Sequence, residues 1–154
     1  MKMNSMNILK GITVITLIFL FNSCKKSNDT QPVSSGYTWT YDGVNYRANI
    51  DSAYLVSMNT TGHIILAGTG TSMNSLGTGP RIVVSSFNVG TYSLTGINMV
   101  YVNSLGDLEA GTGSINITSS SADKLSGNLT ATTTDSNGIN HTLTGTLTDV
   151  PITY

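Results

Sequence analysis

The chain has 154 residues, with 7 Lys or Arg against 8 Asp or Glu and a formal net charge of −1. A nucleic-acid surface needs clustered Lys and Arg, and this balance excludes that class. With one cysteine in the chain no internal disulfide can form, and only one apolar run, near the start, is long enough to need explaining.

Lys2 and Lys10 are the only charges in the first 23 residues, and the apolar core 12–21 is about half the ~20 residues that span a bilayer as a helix. A basic start, a short apolar stretch and a small residue before a cleavage point predict a secretory signal peptide over 1–23. The lone thiol, Cys24, follows at once. Leu20-Phe21-Asn22-Ser23-Cys24 resembles a bacterial lipobox, with Ser23 in place, Phe21 where Leu is usual and Asn22 where Ala or Ser is usual. With Lys25-Lys26-Ser27 behind it, the segment is similar to the start of lipoproteins of Bacteroidota-type bacteria. The resemblance implies lipidation at Cys24, which becomes residue one of the mature chain, and a membrane partner held through that anchor. Two or more acyl chains anchor stably, at ~0.8 kcal/mol per buried methylene. The implied address is the outer membrane of the cell envelope. Acidic residues after the cysteine favour the outer face in such proteins, and only Asp29 is at hand, so periplasmic face and cell surface both stay open. Residues 24–36 hold the lipidated cysteine and a polar stretch with one Pro and no apolar period, which predicts a flexible tether.

Residues 37–154 suit a single domain. Arg47, Arg81 and Lys124 stand there against seven acids, for a net charge of −4. Strand signals dominate, as short runs of Val, Ile, Thr and Tyr with period-two alternation. Tyr37, Trp39 and Tyr41 alternate with threonines. Asp42-Gly43 predicts a type I′ hairpin turn, and Val44, Tyr46 and Ala48 alternate on the return. Further strands are predicted over 53–58, 63–68, 81–87, 91–95 and 98–103, with a turn at 59–62 and a Gly-rich loop at 69–80. Residues 104–113 read as loop or edge, and strands over 114–119, 125–134 and 141–149 complete the sheet. In the last, Leu143 and Leu147 face one way and Thr142, Thr144, Thr146 and Thr148 the other, as in a half-buried antiparallel strand. About ten short strands predict an all-β fold, an antiparallel β-sandwich with a β-barrel as the alternative.

The order WTYDGVNYRA, HIILAG, VGTYSL, SINITS, LSGNLTAT and LTGTLTDVPI resembles an uncharacterised all-β domain of Bacteroidota-type lipoproteins, over nearly all of 37–152. The resemblance implies a fold class and an envelope location. It brings no catalytic residues.

Candidate chemistry is sparse. His63 and His141 each lack a nearby partner histidine, so zinc ligation gives way to strand-end surface histidines; no metal or cofactor is expected. No Gly-x-Ser-x-Gly motif supports a nucleophile. Asp107 and Glu109 would share a face of a strand, as a glycan hydrolase's carboxyl pair needs, but GDLEAG reads as an exposed turn. The loop GTGTSMNSLGTG lacks the Lys-Ser/Thr ending of a phosphate loop. Asp135 to Asn140 reads as a hairpin turn rather than a calcium loop. Trp39, Tyr41 and Tyr46 are the candidate ligand-binding residues, since aromatics stack on sugar rings, although the same alternation fits a core. Asp51-Ser52-Ala53 matches a short O-glycosylation acceptor pattern, with Ser52 as the acceptor. The expected function is a non-catalytic binding or interaction module for a glycan or an envelope partner. The alternatives are a glycan-processing hydrolase and a passive structural lipoprotein.

Overall fold

The computed structural model describes residues 35–58, 60–72 and 75–154, without the side chains of 54–61. The signal peptide, Cys24 and most of the tether lie outside the described residues. From Gly36 onward the chain is β-structure in ten strands. They are β1 (Gly36–Tyr41), β2 (Val44–Arg47), β3 (Ile50–Met58), β4 (Thr60–Gly68), β5 (Gly79–Val84), β6 (Gly90–Leu94), β7 (Met99–Val102), β8 (Leu108–Ser120), β9 (Lys124–Thr134) and β10 (Asn140–Thr153).

The all-β fold is present in its barrel form: the strands make one sheet, not two. The ladder β3-β4-β5-β7-β8-β9-β10 closes on itself through a short parallel contact, Ile152 with Ala53 and Thr153 with Tyr54. Seven strands form this ring. The remaining three hang on its two longest strands. The β1–β2 hairpin pairs through β1 with the first half of β10, and β6 pairs with β8.

Sharing strands this way requires β8 and β10 to bend, and both carry bulges. In β10 the register against β9 shifts between Leu147 and Val150, with Asp149 at φ 47°. In β8 it shifts between Ile117 and Ser119. An extra residue re-phases the side chains. Leu143 and Leu147 face the interior before the β10 bulge, and Val150 does after it. The change of partner from β1 to β3 falls at the same place.

The hairpins follow local chemistry. Asp42 and Gly43 both have positive φ, 47° and 81°, as a type I′ turn demands. Two longer turns are copies of each other. In Asn103–Asp107 and in Asp135–Ile139 the first side-chain oxygen accepts from the backbone N–H two and four residues on. In both, a Gly in the fourth place donates to the first carbonyl. An Asx side chain mimicking a backbone turn explains the recurrence.

Residues 104–113 correct the expectation of a loop. Leu108 to Gly113 belong to β8, which runs thirteen residues. The glycines there are strand positions under close packing. A Cβ on Gly111 would meet the sulfur of Met99 at 2.7 Å, and one on Gly113 would meet the carbonyl oxygen of Thr130 at 2.2 Å. The core fills the ring with Ile65, Ile82, Met99, Tyr101, Ile115, Leu129 and Leu143, and Tyr37 and Trp39 of β1 pack into it. Burying an aliphatic side chain stabilises by ~1.5–3 kcal/mol.

Candidate functional site

The inward residues of β1 build an aromatic line toward one end of the barrel. Tyr37 meets Trp39 edge-on at 6.0 Å, and Trp39 stacks on Tyr46 at 5.6 Å and 9°. The Trp39 Nε1–H donates to the Tyr101 hydroxyl at 3.3 Å. Tyr101 lies parallel to Tyr41 at 4.4 Å, and Tyr41 in turn stacks on His141 at 5.1 Å. Trp39 is 2 % exposed, so a ligand arriving here meets Tyr46 and not the indole. Tyr41 and Tyr46 are half-buried, with rings already stacked on protein partners.

The line ends at Glu109, which corrects the expectation of a solvated turn: it is 1 % exposed. Asp107 stays exposed in the turn, so the two carboxyls do not make a pair facing one space. The Glu109 oxygens accept from the Tyr41 hydroxyl at 2.8 and 3.0 Å, from Thr133 Oγ1 at 2.7 Å and from Asn103 Nδ2 at 3.1 Å. Alternation along β8 turns Glu109 inward with Gly111 and Ile115. The neighbouring turn supplies Asn103, whose Oδ1 closes the turn while its Nδ2 reaches the carboxyl. Burial, and then the hydrogen bond to Glu109, raise the Tyr41 hydroxyl above its usual range. Burial pushes Tyr101 up to about 12.

His141 sits outside this group and ties two turns together. Its Nδ1 is 2.6 Å from Asp42 Oδ2, and its Nε2 is 3.9 Å from Asp135 Oδ2. Asp42 also takes the Thr142 N–H at 2.8 Å. The Asp42 hydrogen bond raises the imidazole pKa, and the imidazole together with the Thr142 N–H holds the Asp42 carboxyl below its ordinary range. His63 is a second correction. It lies within β4 rather than at its start, half-buried, with its ring 4.3 Å from Phe87. Ser52 lies in β3 opposite Leu66, half-buried, beside the fully buried Ala53. Among the described residues no three His, Cys, Asp or Glu come together as a metal would need.

The outer surface carries the larger pattern. Six strands, β2-β1-β10-β9-β8-β6, are laid side by side. Their registers align Asn45, Thr40, Thr144, Thr130, Ser114 and Ser93 in one row. A second row runs Arg47, Thr38, Thr146, Asn128, Asn116 and Thr91, and a third, on the central strands, Thr142, Thr132 and Thr112. All are exposed except the half-buried Thr40 and Ser114. Strand spacing of ~4.8 Å and a two-residue rise of ~6.7 Å give a wall of roughly 24 by 13 Å. Arg47, at the edge, is its only charge. The sequence shows the β10 part of this wall; the rest needed the register. Compared with known proteins, the chain matches no family model, no curated protein and no solved structure.

Proposed function

We propose that the protein is a lipid-anchored envelope module that binds a neutral glycan without turning it over. The anchor rests on the signal-peptide pattern and on Cys24. The binding reading rests on one observation, the hydroxyl and amide wall. Fifteen aligned positions hold fourteen hydroxyl or amide side chains and one charge. In a chain that is 10 % charged overall the low charge is general, and what sets the wall apart is the alignment of hydroxyls and amides across six strands. Each Thr or Ser offers a donor and an acceptor, and each Asn a carbonyl and an NH₂. A repeating polyol has the same alternation, and an uncharged wall desolvates at low cost beside it. The three donors on Glu109 favour a structural role for that carboxyl over that of a hydrolase acid.

The test is binding of the processed protein, held in detergent micelles, to soluble neutral polysaccharides such as glucan and mannan. A ligand that binds only the folded state stabilises it by ~2.7 kcal/mol at a hundredfold excess over Kd, so the melting temperature should rise. Thr130→Glu, a charge in the middle of the wall, should weaken binding at least tenfold with the fold intact. No rise with any neutral polysaccharide, or binding untouched by Thr130→Glu, overturns the proposal.

A further inference from the structure

The opposite side of the barrel has the reverse chemistry. A groove of about 310 Å³ runs over the outside of β4, β5 and β7. Ile64, Leu66, Val83, Val100, Ile97 and Leu108 line it. Alternation explains the first four: Ile65, Ile82, Val84, Met99 and Tyr101 face the core, so their strand neighbours face out. Here the outward residues are aliphatic, where the other wall has threonine. Ile97 and Leu108 are 97 % and 72 % exposed, and Leu105, on the turn before β8, is 85 % exposed. Ile97 lies in the turn that joins β6 to β7, which follow one another along β8, and Leu105 and Leu108 stand at the β7–β8 hairpin turn, so the patch is raised at two turns.

Contiguous exposed apolar surface marks a partner or a membrane. Three features favour lipid. Projecting aliphatic tips enter a fluid phase, whereas a second rigid copy would need matching hollows. The tether between Cys24 and β1 is short: eleven residues reach at most ~40 Å extended, which keeps the domain beside the bilayer at high effective concentration. The one charge lining the groove, Arg81, already donates to the Gly77 and Gly79 carbonyls, so the contact needs no anionic headgroup.

We infer that this wall lies against the membrane, with Ile97, Leu105 and Leu108 inserted among the acyl chains. The inference rests on the anchor reading, and the experiment separates the two. The processed chain is reconstituted into zwitterionic phosphatidylcholine vesicles after intact-mass measurement of the Cys24 modification. An acylated Cys24 leaves an introduced thiol as the only reactive one. Ile97→Cys and Leu108→Cys on this wall, and Thr130→Cys and Thr144→Cys on the other, are labelled with an environment-sensitive fluorophore. Labels at 97 and 108 should shift to shorter wavelength and be quenched by spin-labelled acyl chains. Labels at 130 and 144 should behave as in water. An acylated protein with all four labels in water overturns this inference alone. A blue shift that grows with protein density and is untouched by the acyl quencher assigns the wall to a second copy and also overturns it. A chain that carries no acyl group and does not float with vesicles overturns the anchor reading and this one with it.

Discussion

Replacing Glu109 with leucine tests whether the carboxyl holds the end of the barrel together. The side chain is 1 % exposed and takes hydrogen bonds from Tyr41, Thr133 and Asn103. Leucine keeps the volume and removes every acceptor. The three donors then differ in fate. Tyr41 and Asn103 are half-buried and can turn toward water at small cost. Thr133 is 0 % exposed, and its hydroxyl is orphaned, at ~1–3 kcal/mol. Adding ~0.5–1 kcal/mol for each bond lost at the other two brings the loss to about 2–5 kcal/mol, and about 1 kcal/mol recovered from the added apolar surface leaves a net loss of about 1–4 kcal/mol. At ~4 °C per kcal/mol for a domain of this size, Tm should fall by roughly 4–16 °C. That is a large share of a total stability of ~5–15 kcal/mol.

The assay is urea unfolding of four proteins: wild type, Glu109→Leu, Thr133→Val and the double variant. The paired change removes donor and acceptor together, so it should cost less than the sum of the singles by at least ~1 kcal/mol. A Glu109→Leu loss below about 1 kcal/mol would refute the reasoning, because it would mean that the carboxyl and Thr133 are served by water entering the barrel end. Additive single losses would refute it too, since the pair would then not be coupled.

Two further changes probe other parts of the structure. Tyr37 is 0 % exposed, and its hydroxyl has no hydrogen-bond partner; Tyr37→Phe should hold or raise stability by up to ~1 kcal/mol in urea at unchanged m-value, and a loss above that would show a water serving the hydroxyl. The Asp42–His141 pair should give a pH window of stability. His141 is raised above its ordinary 6.5, so its contribution is full below that pH and is lost as pH rises through the higher folded value. Asp42 is lowered below 3.8, so its contribution is full above that pH and is lost as pH falls through the lower folded value. The melting-temperature gap between wild type and His141→Gln should be widest between pH 4 and 6.5 and narrow on both sides; a flat gap would exclude an ionic contribution.

The local parts of this fold are legible in the sequence and the long-range parts are not. Asp42-Gly43 has one favoured geometry, and the chain adopts it. A hairpin turn at Asn137-Gly138 is legible too, but its form is not: only Gly138 takes a positive φ, and the Asp135 side chain closes a longer turn. By contrast EAGTG, 109–113, has the composition of a loop, yet it is strand, because Met99 and Thr130 lie too close for a side chain at Gly111 or Gly113. Those neighbours are 12 and 17 positions away, beyond any window of local pattern. The burial of Glu109 follows from the same misread segment. Sandwich and barrel give the same alternation in every strand. The choice between them rests on two pairs, Ile152 with Ala53 and Thr153 with Tyr54, and no composition signals it. The Thr wall is half legible: β10 shows its threonines in order, but only the registers show them continuing into β9, β8 and β1.

The closure that decides the fold also decides how the two walls stand to each other. Around the ring, β9 is three strands from β4 by way of β10 and β3, and three from β5 by way of β8 and β7. The strand at the centre of the threonine wall is therefore diametrically opposite the strands that floor the aliphatic groove. An open sheet would give no such relation, because its outward residues would share one face. In the ring, each outward surface has its own chemistry over the common interior of Ile65, Ile82, Ile115 and Leu129. The β10 bulge preserves this. A one-residue slip would turn a strand inside out, and the extra residue beside Asp149 keeps Leu147 and Val150 both inward while β10 passes from one wall to the other. If lipid takes the aliphatic side, the hydroxyl side must face away from the membrane, where a glycan would be met. The fluorescence and polysaccharide experiments are thus joined by topology: an acyl-quenched label at Thr130 would count against both readings at once.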